Sequence, residues 1–352
     1  MTPGRSPMGG EPHGGGIRRR GSESLGNGRL FGILVTFRRP RALEVMLEAL
    51  LAQSQPIQEI LVVDNAASKG NRSITEANAA RDLSTTYLPT GDNLGPAGAI
   101  SIGMERVLEQ AGDDDWVVLF DDDDPPQERG LLEELRAFAL ELLPRDGAIA
   151  GVGTAGARFD ARRGRLVRTP DDQLIGAVPV DCIGGNQLPM YRVSAVREVG
   201  PFHSDLFFGF DDLEYGLRLR RAGWSLYAHG EIQRRSRERL GRLKRSPRPA
   251  RRLRPLGWRD YYSVRNLIWI CRAQGWTTTA LRLSLAHVIG KPLVNVGRQP
   301  RLALKALSLN SRACRDAWLS RLGRRVEPDL LGDGLYGEKT STGRGTPVGG
   351  ST

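Results

Sequence analysis

Between about residue 29 and residue 145 the chain alternates continuous apolar runs of strand length with stretches that repeat apolar residues at helical spacing. The run Phe31-Gly-Ile-Leu-Val-Thr-Phe37 reads as a strand apolar on both faces, which belongs in the interior of a parallel sheet. Pro40 stands where a first helical residue fits, and Leu43, Leu47, Leu50 and Leu51 follow at the spacing of a helix with one apolar face. Ile60-Leu-Val-Val63 repeats the strand pattern and ends at Asp64, and Ile100, Met104, Val107 and Leu108 repeat the helical one within 96–110. Trp116-Val-Val-Leu-Phe120 is a further strand, closed by Asp121 to Asp124, and Leu131, Leu135, Phe138 and Leu142 mark the helix behind it. The alternation predicts an α/β domain: a mostly parallel central sheet with helices on both faces, whose ligands sit at the carboxyl ends of the strands.

From about 155 to 230 the elements shorten. The pattern predicts a hairpin around Arg162-Arg163-Gly164, a glycine-rich turn at Gly184-Gly185-Asn186 and a helix from Asp212 to about Arg221. Helical runs holding Tyr261, Tyr262, Leu267, Ile268, Leu281, Leu285, Val288 and Ile289 follow, broken at Pro292 and Pro300. Residues 1–28 and 333–352 are rich in Gly, Pro, Ser and Arg and have too few large apolar side chains to offset the entropy of ordering, so both read as disordered tails. The expected organisation is a tail over 1–28, an α/β domain over 29–232, a basic linker over 233–255, a helical C-terminal region over 256–332 and a tail over 333–352.

Charge adds a partner question to this picture. The 352 residues carry a net charge of +11, and from Gln233 to Arg259 twelve basic residues face one acid, Glu238, which accounts for the whole excess. Such a block reads as a solvated connector or, through 234–259, as a contact with an anionic membrane surface. A nucleic-acid site is the rival, disfavoured because almost no aromatic residue is interleaved before Trp258 and no reading module is recognisable. Cys182, Cys271 and Cys314 are odd in number and widely spaced, against a disulfide framework or a thiolate zinc site. With no apolar run of the ~18 residues a span needs, the expectation is a cytoplasmic protein, peripheral at the inner face of the plasma membrane if the basic block engages lipid.

Candidate chemistry lies at the strand ends. Carboxylates crowded at Asp121 to Asp124 repel one another unless a cation is present, and a hard divalent ion held by one or two of them leaves room for phosphate oxygens and water. Asp64 is either a turn cap or an acceptor for a nucleobase or ribose hydroxyl. Asp211, Asp212 and Glu214, behind the aromatic stretch Leu206 to Phe210, are either an acidic helix N-terminus or the source of a general base. Asp64, Asp121 and Asp212 are expected to meet around one ion. Gly151-Val-Gly-Thr-Ala-Gly156 spells a dinucleotide fingerprint, but no apolar helical face follows it, which leaves an NAD-dependent oxidoreductase as a minor alternative. His229 is a candidate metal ligand or an ordinary structural histidine.

These motifs resemble glycosyltransferase family 2, in order along residues 30–230: Val35-Thr-Phe-Arg-Arg-Pro40, Gln53-Ser54, Val63-Asp-Asn65, Asn93-Leu-Gly-Pro-Ala-Gly98, the strand-borne aspartates and Asp211-Asp-Leu-Glu214. Asn93-Leu-Gly95 with Gly103-Met104 is similar to galactofuranosyl- and rhamnosyltransferase-like members. The resemblance implies the GT-A nucleotide-diphospho-sugar transferase fold and a metal-dependent, inverting transfer from a UDP- or dTDP-sugar donor to a glycan or lipid-linked acceptor in envelope or polysaccharide synthesis. It places Thr36, Phe37 and Arg39 along the nucleotide, Arg39 facing the diphosphate, and Asp64 on the base or ribose. Asn93 and Gly95 fall in the loop against the nucleotide sugar and Asp122 against sugar or ribose. Asp121 and Asp123 become the outer residues of a DxD motif holding Mg²⁺ or Mn²⁺, and Asp212, with Asp211 as the alternative, the catalytic base. The sequence departs from the family in having Ala99 after Gly98, and in offering only Gln, Arg and Ser over 233–237 where a metal-binding histidine is common, His229 lying too early for that place.

Overall fold

The computed structural model describes residues 28–328, apart from 80, 82, 244–256, 291, 294–299 and the side chain of 302. The predicted tails, except Gly28, and residues 244–255 of the predicted linker lie outside the described residues. Four parallel strands, β1 (Leu30–Thr36), β2 (Glu59–Asp64), β3 (Thr85–Pro89) and β4 (Trp116–Asp121), lie side by side in the order β3-β2-β1-β4. The helices α1 (Pro40–Leu51), α2 (Lys69–Ala79) and α3 (Gly95–Leu108) return the chain between them, and α4 (Leu131–Leu142) follows β4. Pro40 and Pro96 stand at the first turns of α1 and α3, where the missing N–H costs nothing.

The second half completes the sheet less regularly. It supplies β5 (Ile149–Gly153), the β6 (Arg158–Asp160) and β7 (Arg165–Val167) hairpin, β8 (Ala177–Val180), β9 (Met190–Arg192) and β10 (Ser225–His229). The sheet continues from β4 through β9, β5 and β10 to β8; β9 and β8 run antiparallel to their neighbours and β10 parallel to β5. Gly151 and Gly153 are therefore strand residues, and a Cβ on Gly151 would stand 2.8 Å from the Met190 carbonyl oxygen. Gly151 admits β9 and Gly153 the chain at Ile183 and Gln187, and no helix opens on them, which removes the fingerprint behind the oxidoreductase alternative.

Both sheet faces are covered, as the continuous apolar runs require. Ile33, Leu61, Val63, Val117 and Leu119 meet Ile100, Met104 and Val107 of α3 on one face. Leu34, Ile60, Val62, Val118 and Phe120 meet Leu43, Met46, Leu47 and Leu50 of α1 and Leu132, Leu135 and Phe138 of α4 on the other. Each such side chain contributes about 1.5–3 kcal/mol on burial.

After α5 (Val193–Val199) and α6 (Asp211–Arg221) comes α7 (Gly230–Arg239), which corrects the expected linker over 233–239. Ile232, Gln233 and Arg237 are buried there, with Arg237 donating to the Thr169 carbonyl at 2.8 Å and pairing with Asp171. A basic helix with its inner face packed on the body is no connector. The helical region contains α8 (Trp258–Ala273), α9 (Thr277–Leu285), a π-turn over Ala286–Gly290, and α10 (Pro300–Trp318). Its core of Tyr261, Tyr262, Ile268, Cys271, Ala280, Ala313 and Ala317 takes in Phe207 from the loop before α6, which couples the annex to the sheet domain.

Candidate active site

The carboxyl ends of β1, β2 and β4 lie together: Thr36 is in register with Asp64, and Val35 with Asp121. Thr36 Oγ1 donates to Asp122 Oδ2 at 2.8 Å, and Arg39 Nη1 donates to Asp122 Oδ1 at 3.0 Å and Asp123 Oδ2 at 3.1 Å. Asp122 is buried, which pushes its carboxyl up, and the Thr36 and Arg39 bonds pull it back. Asp121 opens to water within a crowded wall; partial desolvation, then the charges of Asp123 and Asp122, push its carboxyl up to about 7. An anion there is under-compensated by the protein.

The facing wall is the N-terminus of α6. Asp212 Oδ1 accepts the Leu213 N–H at 2.8 Å. Burial raises both Asp211 and Asp212 above the usual carboxylate range, and for Asp211 the charges of Asp212 and Asp121 add to it, so the two acids titrate as a pair that senses β4. Between the walls runs the turn Gly184–Gly185. A Cβ on Gly184 would lie 3.5 Å from Asp212 Oδ2, and one on Gly185 3.3 Å from Asp121 Oδ2. Both carboxylates thus stand next to the side-chain space that this dipeptide leaves empty, and its consecutive Cα atoms are about 3.8 Å apart.

The loop into α6 is held in costly backbone. Phe207 and Phe210 both have φ of 61° and Gly209 has 79°. Two polar residues buried in α8 fix it. The Asn266 amide donates to the carbonyls of Leu206, Phe208 and Gly209 at 2.9, 3.0 and 2.8 Å, and Arg265 donates to those of Leu206 and Gly323 at 2.9 and 2.6 Å. Gly95, at φ of 71°, abuts the same loop: a Cβ there would be 2.0 Å from the Phe207 carbonyl oxygen, so no other residue fits.

Together these elements line a cleft with Thr36, Phe37, Arg39, Asn65, Asn93, Gly95, Asp121 and Asp122 on the sheet side, and Phe207, Phe208, Trp258 and Arg259 opposite. A second, adjoining hollow shares Phe37, Asn65 and Asn93 and adds Arg38, Asp92 and Arg324. Asn65 organises the shared edge: its Oδ1 accepts the Leu94 N–H at 2.9 Å, and Asn93 Oδ1 in turn accepts the Gly95 N–H at 3.0 Å.

One expectation needs correction. Asp64 is wholly buried and turned away from the cleft: its carboxylate accepts the N–H groups of Ala66 and Ser68 at 3.0 and 2.7 Å and the Tyr87 hydroxyl at 2.8 Å. It caps the turn after β2, so the expected meeting of three carboxylates is a meeting of Asp121 with the Asp211–Asp212 pair. His229 ends β10, its ring tilted against that of Phe138 at 4.4 Å between centroids, and sits between Glu134 and Glu231, where burial lowers its pKa; these surroundings fit the structural alternative. Among the described residues no three His, Cys, Asp or Glu side chains group tightly enough to hold a metal by themselves. The donor set fits a divalent ion that takes one or two carboxylates, Asp121 first because its charge lacks a partner, and completes its shell with ligand oxygens.

Sequence reading missed Asn65, although it adjoins Asp64, and the annex residues Trp258, Arg259, Arg265, Asn266 and Arg324. The adjacent polar pair Arg265-Asn266 inside an apolar helical run was the available signal. The site is thus a mostly parallel sheet with carboxylates at its strand ends, faced by an acidic helix N-terminus. The comparison with known families bears on this site: residues 33–192 match the family model described as "Glycosyl transferase family 2".

The chain is 31% identical over 201 residues to galactofuranosyltransferase GlfT1 of Mycobacterium tuberculosis, a match covering 55% of this chain and 65% of that protein. It thus spans somewhat under two thirds of that relative. N-acetylglucosaminyl-diphospho-decaprenol L-rhamnosyltransferase of the same species is 28% identical over 223 residues, covering 54% of this chain and 70% of that one. Among solved structures, the mannosyltransferase PcManGT of Pyrobaculum calidifontis aligns with a TM-score of 0.42 at 16% identity, over 83% of this chain and 86% of that one.

Proposed function

We propose that the protein is a metal-dependent, inverting glycosyltransferase that moves a sugar from a UDP- or dTDP-sugar to a hydroxyl of a glycan or lipid-linked acceptor. The observation that carries this reading is the placement of Asp121, which lines the cleft, and of Asp212 behind it on either side of the Gly184–Gly185 turn. Asp212 takes the proton of the acceptor hydroxyl as its oxygen bonds to the anomeric carbon; the bond from that carbon to the diphosphate oxygen breaks from the opposite side. Configuration inverts, and no enzyme–sugar bond forms. Asp211, raised with Asp212, is the alternative base.

Asp121 and Asp123 would hold Mg²⁺ or Mn²⁺, which when bound offsets the charge growing on the departing diphosphate. Arg39 adds a fixed cation on the same side, oriented by Asp122 and Thr36. Phe37, Asn65 and Asn93 form the nucleotide end, and Asp64 shapes the turn that carries Asn65. The sugar named in each relative, galactofuranose or rhamnose, and the diphospho-decaprenol named in one of them support an envelope polysaccharide acceptor presented at the inner face of the plasma membrane to a cytoplasmic enzyme.

The test is a melting-temperature screen with UDP-, dTDP- and GDP-sugars with and without Mn²⁺, because a ligand selective for the folded state raises Tm. Stabilisation by a UDP- or dTDP-sugar that needs the ion and disappears in Asp121→Asn is expected. No metal-dependent shift, together with salt-sensitive polynucleotide binding that survives Asp121→Ala and Asp123→Ala, would establish the rival nucleic-acid reading instead.

A further inference from the structure

Between Asp260 and Asp316 the sequence holds nine Lys and Arg residues and no Asp or Glu. In the fold this stretch becomes α8, α9 with its π-turn, and α10, and the outer surface of the last three is unlike the rest of the molecule. Leu281, Leu285, Ile289 and Leu293 recur at every fourth residue and are 52%, 51%, 56% and 68% exposed; Leu304 on α10 is 67% exposed. The two elements are packed together, with Asn310 Nδ2 donating to the His287 carbonyl at 2.8 Å and Ala303, Ala306 and Ala313 buried along α10. The exposed leucines of α9 and of α10 therefore stand on neighbouring elements. Arg282, Arg301 and Lys305 are exposed beside those leucines.

Exposed branched aliphatic side chains among cations, on a stretch that itself holds no acid between Asp260 and Asp316, are the chemistry of an interfacial helix: the apolar row enters the acyl boundary and the basic residues meet lipid phosphates. Nucleic acid does not fit, since leucine and isoleucine cannot stack on bases. No helix among the described residues is long and apolar enough to cross a membrane, so contact would be lateral. We propose that the α9–α10 face is a docking surface for an anionic lipid bilayer. This is a site separate from the 234–259 block, and it rests on the composition and exposure of the face, not on the transferase reading.

Co-sedimentation of the full chain with vesicles of phosphatidylcholine, or of phosphatidylcholine mixed with phosphatidylglycerol, tests it. The wild-type protein should bind the mixed vesicles and not the neutral ones, and binding should weaken with salt. Arg301→Glu with Lys305→Glu should lower the partition coefficient by more than tenfold, at about fivefold for each basic residue lost. Leu285→Ser with Ile289→Ser, which changes no charge, should also abolish most binding while leaving Tm and nucleotide-sugar stabilisation as in the wild type. Binding that both double variants retain, or that only replacement of Arg234 and Arg235 removes, would overturn the proposal. So would a wild-type dimer in sedimentation that Leu285→Ser with Ile289→Ser makes monomeric without any vesicle binding. Loss of catalysis with docking intact would count against the transferase reading alone.

Discussion

β2 and β4 flank β1, run parallel to it, and end in an aspartate, yet the two carboxylates have opposite fates. Asp64 is enclosed by the turn that follows it, accepting two backbone N–H groups and the Tyr87 hydroxyl, whose phenol burial and Asp64 push up to about 12. After Asp121 the chain continues through further aspartates to Pro125 and Pro126, which have no N–H to give, and the carboxylate is left facing the cleft. Strand-end position is shared; the hydrogen-bonding capacity of the next few residues separates a structural acid from one available to a ligand.

The sharpest way to break this comparison is to remove acids from each side. Asp212→Asn should lower kcat by about 10³-fold with the Tm preserved, as loss of a positioned base does. Nucleoside diphosphate release under saturating donor reads it, and unchanged turnover would move the base to Asp211. Asp64→Ala should do the reverse, costing about 3 kcal/mol of stability because buried donors lose their acceptor, with kcat per folded molecule changed little. Denaturant titration beside a turnover assay separates the two. A large kcat loss at full stability would return Asp64 to the ligand site.

Asn266→Ala tests whether the α6 wall depends on the annex as Asp64 depends on its own turn. Freeing three carbonyls beside Phe207 and Phe210 should displace Asp212 and lower kcat by about 10²-fold, with a smaller change in donor affinity. Equal loss of both would mean the loop serves donor binding.

The smallest expected effect is on pH. Asp121 titrates near 7 in the fold and about 3.9 when unfolded, so the folded state holds a proton that the unfolded chain releases. Stability from this group is full at low pH and is lost as pH rises through about 7. Asp121→Asn should flatten that slope and, in metal-free buffer above neutrality, gain on the order of 1 kcal/mol after solvent screening. Over the same interval wild-type kcat should climb as the raised Asp211–Asp212 pair ionises, where an ordinary carboxylate would already be flat.

The sequence by itself determined the parallel half of the sheet, because strands buried on both faces must be apolar throughout and their helices must repeat at helical spacing. It also determined that carboxylates crowd the end of β4 and the start of α6, since like charges adjacent in the chain remain adjacent in any fold. Only tertiary structure decided which of them share a cleft. The approach of Asp121 and Asp212 to Gly184–Gly185, the closing of the turn on Asp64, the packing of α7 in place of a linker and the clamp of Arg265 and Asn266 on the α6 loop all join segments distant in sequence. Local periodicity reports what a segment buries; it has no term for what arrives from elsewhere to satisfy a hydrogen bond.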